Sequence, residues 1–453
     1  MPKISIIGAG STVFARNIIG DILFLPAFRD AEFALYDIDE KRLNDSLMVC
    51  EKMNDKLGTE ARFLKFCGPA QRKQALAGSH FVISMFQVGG YEPATVIDFE
   101  VSKKHGLRQT IADTLGPAGI VRALRSVPVF LDICDEMLEV CPQAYLLNYV
   151  NPMAMISWAI STLRPRIRYV GLCHSVQGTA HELARDLDLP YEELSYFAAG
   201  INHMAFYLRF EQIQADGSRK NLYPDMLEAY AAGRIPKESV WNPRCPNRVR
   251  YEMFQYLGYF VTESSEHFAE YTPYFIKNGQ PELIEQFGIP LDEYPRRCVE
   301  QLEGWEKELA DIHAGIDKDI RPSKEYAAKI VGAIWTGQPE LINGNVANNG
   351  LIDNVLAGAA VEVPCLVDSQ GIHPVKVGKL PPHLAALIAT NVNVQSLFVE
   401  SFVQEDVRWL YHAAMMDPHA AAELSLARIY ALMDELLGEH KKQNSLYRLP
   451  PWV

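Results

Sequence analysis

The sequence predicts an α/β protein in which a doubly wound, Rossmann-type parallel sheet is followed by a second, mixed α/β and largely helical domain. Three observations favour this fold class. Short apolar runs alternate with longer amphipathic ones over residues 1–170, the apolar runs are nearly continuous, and a glycine-containing turn follows the first of them. Continuous apolar strands are typical of parallel sheets that helices cover on both faces.

The amino-terminal elements follow from this alternation. Strands are predicted at KISIIGAG, EFALYD, HFVISMFQ, AYLLNYV and IRYVGL, and helices at VFARNIIGDILF and EKRLNDSLMVCEKMNDKL. The strand segments are nearly continuous apolar runs, whereas the helical segments carry apolar side chains at helical spacing. We therefore expect residues 1–200 to form a dinucleotide-binding domain.

After Ser175 the pattern becomes mainly helical. A helix is predicted at VQGTAHELARDL, and strand-like segments at YFAAGINHMAFYLRFEQ. Further helices are predicted at AAGRI, RYEMFQYL, RRCVEQLEGWEKELADI, LAALIATNVNVQSLFVESFV and AELSLARIYALMDELLGEHKK. Residues 201–453 are thus expected to form a second, mixed α/β and largely helical domain, which makes the predicted architecture lactate/malate dehydrogenase-like.

The composition of the chain limits the kinds of molecule that it is expected to bind. The chain has 453 residues, 48% of them hydrophobic, and a net charge of -13. This acidic balance argues against a nucleic-acid or anionic-membrane surface, so we expect a small-molecule partner. The chain shows no secretion signal at its start and no run of eighteen apolar residues, which predicts a cytoplasmic protein whose eight irregularly spaced cysteines are reduced thiols.

The first turn is a candidate cofactor site. Gly8, Gly10, Ser11 and Thr12 lie between a predicted strand and a predicted helix, where backbone amides can approach a pyrophosphate. Asp37 ends the second strand, where a carboxylate accepts hydrogen bonds from ribose hydroxyls, which favours NAD+ over NADP+. The alternatives are a tight turn without a ligand and, for Asp37, a helix-capping acid.

A second candidate site involves the other strand ends. Cys173 and His174 follow RYVGL, His203 follows in AGINHMAF, and Asn151 follows LLNYV. Because the carboxyl ends of parallel strands meet in one crevice, Cys173 is more than a core residue, and a thiolate with an imidazole would bind a divalent metal. A Cys-His nucleophile pair is the alternative, and ligand softness alone favours zinc or iron.

Two further polar residues have both a structural and a functional interpretation. Asn151 either ends a strand in a turn or binds substrate hydroxyls. Asp113 either caps the helix that starts near Ala118 or raises the basicity of a neighbouring base. The sequence has no obvious pair of carboxylates at the spacing of an acid and a nucleophile.

Several long motifs together resemble glycoside hydrolase family four, and most closely its α-galactosidase branch. They are GAGST, FQVGGYEP, TIADTLGPAGIVRALR, LNYVNPMAM, GLCHSVQGTA, AGINHMAFYL and GYFVTESSEHFAEYTPYF. The likeness runs over at least residues 3–277. Most glycosidases use two carboxylates, and this family is an exception. This agrees with the absence of an obvious carboxylate pair in the sequence.

The resemblance implies hydrolysis of α-galactosides such as melibiose, with retention, by an enzyme that binds NAD+ and Mn2+. The sugar is oxidised at C3, a base removes the C2 proton, the glycosidic bond breaks by elimination, water adds, and the hydride returns. Physically, charge develops beside a cation during this reaction. The resemblance also implies that residues 201–453 form the catalytic and oligomerisation domain of a homodimer or homotetramer.

The resemblance also assigns residues. Cys173 and His203 look like the Mn2+ ligands, Asn151 like a contact to sugar hydroxyls, and Asp113 like the residue that tunes the base. Gly8, Gly10, Ser11, Thr12 and Asp37 fall in the NAD+ site. His174 stands where a related branch carries an acidic proton donor, and an imidazole can donate a proton. Tyr251 is predicted as the C2 base, with Tyr256 in reserve.

Three other functions are compatible with these residues. The sugar could be glucose, glucuronic acid or galacturonic acid, since C4 epimers differ in the direction of one hydroxyl. A plain NAD-dependent 2-hydroxy acid dehydrogenase would share the fold predicted for residues 1–200. A dinucleotide-sensing regulatory protein without catalysis is the third, and the presence of Cys173, His203 and Asn151 argues against it.

Overall fold

The computed structural model of the chain describes residues 1–453 except 236–238, 240–241, 243, 315–319 and 324. The strands in this described part are β1 (Lys3–Ile7), β2 (Glu32–Asp37), β3 (Arg62–Cys67), β4 (Phe81–Ser84), β5 (Tyr145–Asn148), β6 (Arg168–Gly171), β7 (Leu194–Ile201), β8 (Met204–Ile213), β9 (Arg219–Asn221), β10 (Glu340–Ala347), β11 (Ala360–Asp368) and β12 (Gly371–Pro374).

The helices are α1 (Thr12–Leu23), α2 (Glu40–Leu57), α3 (Pro69–Leu76), α4 (Val96–Lys104), α5 (Gly116–Val140), α6 (Met153–Leu163), α7 (Ser175–Asp186), α8 (Tyr223–Ala231), α9 (Arg248–Leu257), α10 (Ser265–Tyr271), α11 (Glu282–Phe287), α12 (Glu293–His313), α13 (Tyr326–Thr336), α14 (Pro382–Val403), α15 (Arg408–Met416), α16 (Pro418–Glu423) and α17 (Leu426–Lys441).

The first six strands form a parallel sheet, which contains the five predicted strands and β3, which was not predicted. Their order is β3-β2-β1-β4-β5-β6, and each neighbouring pair is parallel. This is the doubly wound order, with the reversal of strand order between β1 and β4. Ile4 and Ile6 of β1 and every residue of β4 are buried, as expected for strands covered on both faces. The predicted α/β fold class is confirmed.

The helix α2, which follows the second strand, is capped at both ends and buries one face against the sheet. The side chain of Asp39 accepts a hydrogen bond from the Arg42 N–H at 3.1 Å and so caps the amino end of α2. Gly58 ends the helix in the left-handed conformation. Leu43, Val49 and Met53 form its buried face, which fixes α2 against the sheet just after β2.

The sheet continues into the second half of the chain through antiparallel strands. β10 pairs with β6 and β11, and β11 pairs with β7, so that twelve described strands belong to one sheet. β6 from the first segment and β10 from the second are therefore neighbours in one sheet. The division into domains of residues 1–200 and 201–453 remains a prediction. Beyond β3, the sequence patterns also did not predict β9 or β10 to β12.

Two helix predictions differ from the structure in their bounds. AAGRI is not a helix, because α8 ends at Ala231 and Gly233 forms a turn with positive φ. The predicted last helix is divided, because α16 ends at Glu423 and Ser425, in an extended conformation, precedes α17. Of the described helices, α14 alone is long and apolar enough to cross a membrane; it packs on α6 and α15, with Leu384 and Phe398 buried.

Candidate active site

The turn after β1 approaches Asp37 closely. Gly8 has φ +93°, and a Cβ on it would lie 2.8 Å from the backbone nitrogen of Phe86. The Gly10 N–H donates to Asp37 Oδ2 at 2.7 Å, and a Cβ on Gly10 would lie 2.7 Å from the same oxygen. Only glycine fits at these two positions, which is what close backbone approach to a dinucleotide requires.

The remaining residues of the turn occupy the start of α1. Ser11 precedes this helix, and its N–H donates to the carbonyl oxygen of Gly8 at 3.0 Å. Thr12 begins α1, and its side chain lies outside the described atoms. Asp37 does not cap α2, because Asp39 does. The carboxylate of Asp37 instead faces the glycine turn, the position expected for a ribose contact.

Cys173 and His203 come together with a carboxylate, that of Glu263. Cys173 follows β6, His203 lies in the turn between β7 and β8 with φ +63°, and Glu263 lies just before α10. Glu263 Oε2 is 3.2 Å from His203 Nε2 and 3.9 Å from Cys173 Sγ. One ligand atom from each residue lies within 4.8 Å of the others, an arrangement that suits a divalent metal.

The charge states of these three groups also fit a cation. Burial alone would raise the pKa of the Glu263 carboxyl, but His203 and His267 lower it to about 2. Burial lowers the pKa of His203 to about 4, so its imidazole is neutral at pH 7. Burial and the charge of Glu263 raise the pKa of the Cys173 thiol well above its usual value. At neutral pH two of the three ligands are therefore already deprotonated.

Asp113 and Asn151 lie next to each other on the same side of the site. Asn151 Nδ2 donates to Asp113 Oδ2 at 2.8 Å. Asp113 Oδ1 is 3.7 Å from His267 Nε2, and His267 Nδ1 is 3.8 Å from Glu263 Oε1. The imidazole of His267 thus lies between two carboxylates and connects Asp113 to the three-residue group.

The proximity of His267 and Asp113 determines the charge of each at pH 7. Burial would lower the pKa of His267, but Glu263 and Asp113 raise it to about 9, which makes this ring an imidazolium at pH 7. Burial would raise the pKa of the Asp113 carboxyl, but the neighbouring His267 ring and the charge of Arg122 hold it well below its usual value. Asp113 is consequently ionised at pH 7 and does not cap α5, whose amino end is at Leu115.

The loop that carries Asp113 is attached to α10. The Glu270 carboxylate accepts hydrogen bonds from the N–H groups of Thr110 and Ala112, the second at 3.1 Å. Ala112 has φ +51°, an unfavourable conformation for a residue with a Cβ, so these bonds hold the loop in a constrained shape. Because α10 also carries His267, Glu270 sets the distance between Asp113 and His267.

The predicted proton donor and base have different surroundings. His174 begins α7 with a half-exposed side chain, and its Nδ1 is 3.9 Å from Glu325 Oε1. Tyr251 is fully buried, stacked on the ring of Tyr230 at 4.5 Å, and its hydroxyl has no hydrogen-bond partner among the described residues. Tyr256 is 80% exposed. No described contact joins either tyrosine to Cys173 or His203.

Three residues near the site were not singled out from the sequence: Glu263, His267 and Glu362. The first two are four residues apart in the quoted motif GYFVTESSEHFAEYTPYF, and this spacing on a helix could have suggested that they lie on one face. Glu362 lies in the middle of β11, fully buried, with neither carboxylate oxygen paired among the described residues. Burial and the charge of Glu263 raise its pKa to about 8.

Known proteins resemble this chain over nearly its whole length. The sequence profile of the family 4 glycosyl hydrolases matches residues 3–189, and that of the family 4 glycosyl hydrolase C-terminal domain matches residues 198–420. An α-galactosidase of Bacillus subtilis (strain 168) is 46% identical over 97% of this chain and 98% of its own. An α-galactosidase of Rhizobium meliloti (strain 1021) is 33% identical over 97% of this chain and 88% of its own.

A similar fold is known from crystal structures. That of a 6-phospho-alpha-glucosidase from gut microorganisms, in complex with NAD and Mn2+, has a TM-score of 0.79 and 18% identity, and covers 99% of each chain. At this identity the likeness concerns the fold. The chain has a glycine-rich turn of the kind that binds dinucleotides and a compact group of side chains that suits a metal. Together with the sequence similarities, these features define an α/β enzyme of the glycosidase class. The chain belongs to family 4 of the glycosyl hydrolases.

Proposed function

We propose that the protein is an NAD+- and Mn2+-dependent α-galactosidase that hydrolyses α-galactosides such as melibiose with retention of configuration. The observation that carries this proposal is the compact Cys173, His203 and Glu263 group beside the Asn151–Asp113 pair. Its similarity to two α-galactosidases, one of them 46% identical, favours galactosides over other sugars.

The residues fit both cofactors. Gly8, Gly10 and Ser11 supply a turn without side-chain obstruction, and Asp37 supplies a ribose acceptor. Cys173 and His203, the expected ligands, are joined by the Glu263 carboxylate, and this oxygen donor makes the set harder and more suitable for Mn2+ than a thiol and an imidazole alone. When bound, NAD+ would take and return a hydride at C3, and Mn2+ would stabilise negative charge on substrate oxygens.

Asn151 and Asp113 would hold the sugar. One amide hydrogen of Asn151 is engaged by Asp113, which leaves its oxygen and its other hydrogen for sugar hydroxyls. Asp113 in turn is next to His267, whose charge stabilises the ionised carboxylate. This connection orients the amide and keeps the C2–C3 side of the ring in a fixed electrostatic environment.

The proton transfers need a base at C2 and a donor at the leaving oxygen. Tyr251 stays our predicted base on the resemblance alone, whereas Glu263, whose pKa of about 2 makes it a weak base, is assigned to the metal. His174 is the proposed donor, since its side chain is half-exposed and an imidazole can donate near neutral pH. Comparison of Tyr251→Phe with Glu263→Gln separates the two roles, because both should lower activity and only the second should weaken Mn2+ binding.

Other proposals rest on family resemblance. We propose a cytoplasmic homodimer or homotetramer in which residues 1–200 bind the dinucleotide and residues 201–453 complete the active site. Analytical ultracentrifugation measures the oligomeric state, and a monomer at micromolar concentration would contradict it.

A panel of p-nitrophenyl α-glycosides tests the activity. We expect nitrophenol release from the α-galactoside in the presence of NAD+, Mn2+ and a thiol reductant, without net NADH. EDTA should abolish turnover, and Cys173→Ser should reduce it strongly, whereas Cys50→Ser, a buried thiol in α2, should leave it unchanged. Turnover of the α-glucoside or an α-uronide alone would change the assigned sugar, and stoichiometric NADH from a 2-hydroxy acid would reject the glycosidase.

A further inference from the structure

A small buried cavity lies behind the loop that carries Asp113. Its volume is about 10 Å³, and its polar lining comes from Gln109, Glu270, Asp417 and His419. The other residues that line it are apolar or glycine. A space of this size holds one small ion or one water molecule. The cavity lies between the Asp113 loop, α10 and the start of α16.

Three polar atoms that face this cavity have no hydrogen-bond partner among the described residues. They are Gln109 Oε1, Asp417 Oδ2 and His419 Nε2. Their side chains are 4%, 1% and 4% exposed, so bulk water does not reach them. A buried polar atom without a partner is costly, which points to a bound species at this position.

All three atoms are hydrogen-bond acceptors. The ring of His419 donates to the backbone carbonyl of Ile276, and burial lowers its pKa to about 4, so that the neutral ring has used its single N–H. Asp417 uses its other oxygen to accept the Ala420 N–H at 2.7 Å at the start of α16. A water molecule has two hydrogens and cannot donate to three acceptors at once.

The lining is also negatively charged at pH 7, because burial raises the pKa of Asp417 to about 6 and that of Glu270 to about 7, which leaves the first mostly and the second about half ionised. Asp417 and Glu270 both contribute a buried carboxyl group, and none of the described residues that line the cavity is a lysine or an arginine. A cation would satisfy the free acceptors and compensate this charge together. A transition metal would need closer ligands, because Glu270, Asp417 and His419 do not form a compact three-ligand group of the kind found at Cys173.

We infer that this cavity binds one monovalent cation of sodium or potassium size, held by oxygens of Gln109, Asp417 and Glu270 and by His419 Nε2. The ion joins three segments that are distant in the chain. Since Glu270 also binds the N–H groups of Thr110 and Ala112, the ion stiffens the loop that holds Asp113. This site is separate from the Mn2+ ligands, and its test does not depend on the sugar that the enzyme hydrolyses.

Thermal unfolding of the full chain in different chloride salts tests the inference. The protein is heated in KCl, NaCl or choline chloride at equal ionic strength, because choline is too large for the cavity. We expect the Tm in KCl or NaCl to exceed that in choline chloride by about 2 °C or more. Asp417→Asn should remove this difference, since it keeps the capping oxygen and directs an amide toward the cavity.

The matched control is Asp39→Asn, which changes another helix-capping aspartate, at the start of α2, and should retain the salt-dependent shift. Gln109→Met, which removes one acceptor at similar volume, is the second variant and should also lose the shift. Equal Tm values of the unmodified protein in the three salts would overturn the inference in favour of a water molecule or a shared proton. A shift that persists in both cavity variants would overturn it by locating the ion elsewhere.

Discussion

Binding of Mn2+ at pH 7 should release one proton, and this proton should come from Cys173. The pKa of Glu263 is about 2 and that of His203 about 4, so neither ligand has a proton to lose at this pH. The pKa of the Cys173 thiol lies well above its usual value of 9.0. The thiolate is the metal-binding form. The apparent affinity should therefore rise about tenfold for each pH unit.

Isothermal titration calorimetry in buffers of different ionisation enthalpy measures this proton directly. The dependence of the observed enthalpy on the buffer gives the number of protons released. We expect about one for the unmodified enzyme and about zero for Cys173→Ser, with weaker binding. Any proton released by His267, whose pKa is about 9, would remain in the variant, so the difference between the two proteins isolates the thiol.

Cys50→Ser is the matched control. Cys50 is a buried thiol in α2 whose pKa burial raises to about 12, and its replacement should leave both proton release and affinity unchanged. Tight Mn2+ binding to the unmodified enzyme with no proton release would refute the assignment of Cys173 as a ligand. Unchanged proton release in Cys173→Ser would refute it as well.

Three other changes have predictable effects. Asp113→Asn should lower kcat/KM by about 100-fold because the charge next to Asn151 and its orientation are altered; steady-state kinetics measure this, and a change below twofold would contradict it. Gly10→Ala should raise KM for NAD+ at least about tenfold, since its Cβ would lie 2.7 Å from Asp37 Oδ2, whereas Gly438→Ala, in open space, should not. Glu362→Gln should stabilise the metal-free protein at neutral pH. The Glu362 carboxyl has a pKa of 4.5 in the unfolded chain and about 8 in the folded one, so the unmodified protein loses stability as the pH rises from 4.5 through 8, by about 3 kcal/mol at pH 7. Urea unfolding at pH 5 and pH 8 measures this loss, and an equal loss in the unmodified protein and in Glu362→Gln would contradict it.

Local sequence patterns predicted the parallel half of the fold well. β1, β2, β4, β5 and β6 are short, mainly apolar runs that were predicted, whereas the edge strand β3, RFLKFC, contains two charged residues and was missed. β10 was missed because its segment, ELINGNVA, contains two asparagines and a glycine, which are unfavourable in strands. Its neighbours β6 and β11 supply the pairing that overrides these propensities.

The site was predicted in part. Cys173 and His203 each follow or connect strands, and the convergence of strand ends was enough to expect them together. Glu263 and His267 follow His203 by about sixty residues, and α8 and α9 lie between them. Their position next to Cys173 depends on how α10 packs and not on any local pattern. For the same reason Tyr251, chosen by distance along the chain, could not be located before the structure was known.

In the proposed reaction the glycosidic bond breaks through redox chemistry on the sugar, with a proton leaving C2. Hydrolysis of p-nitrophenyl α-galactoside in D2O, followed by mass spectrometry and NMR of the galactose, measures this directly. We predict galactose that carries deuterium at C2 and is formed only when NAD+ is present. Galactose with hydrogen retained at C2, released at an undiminished rate without NAD+, would contradict the account.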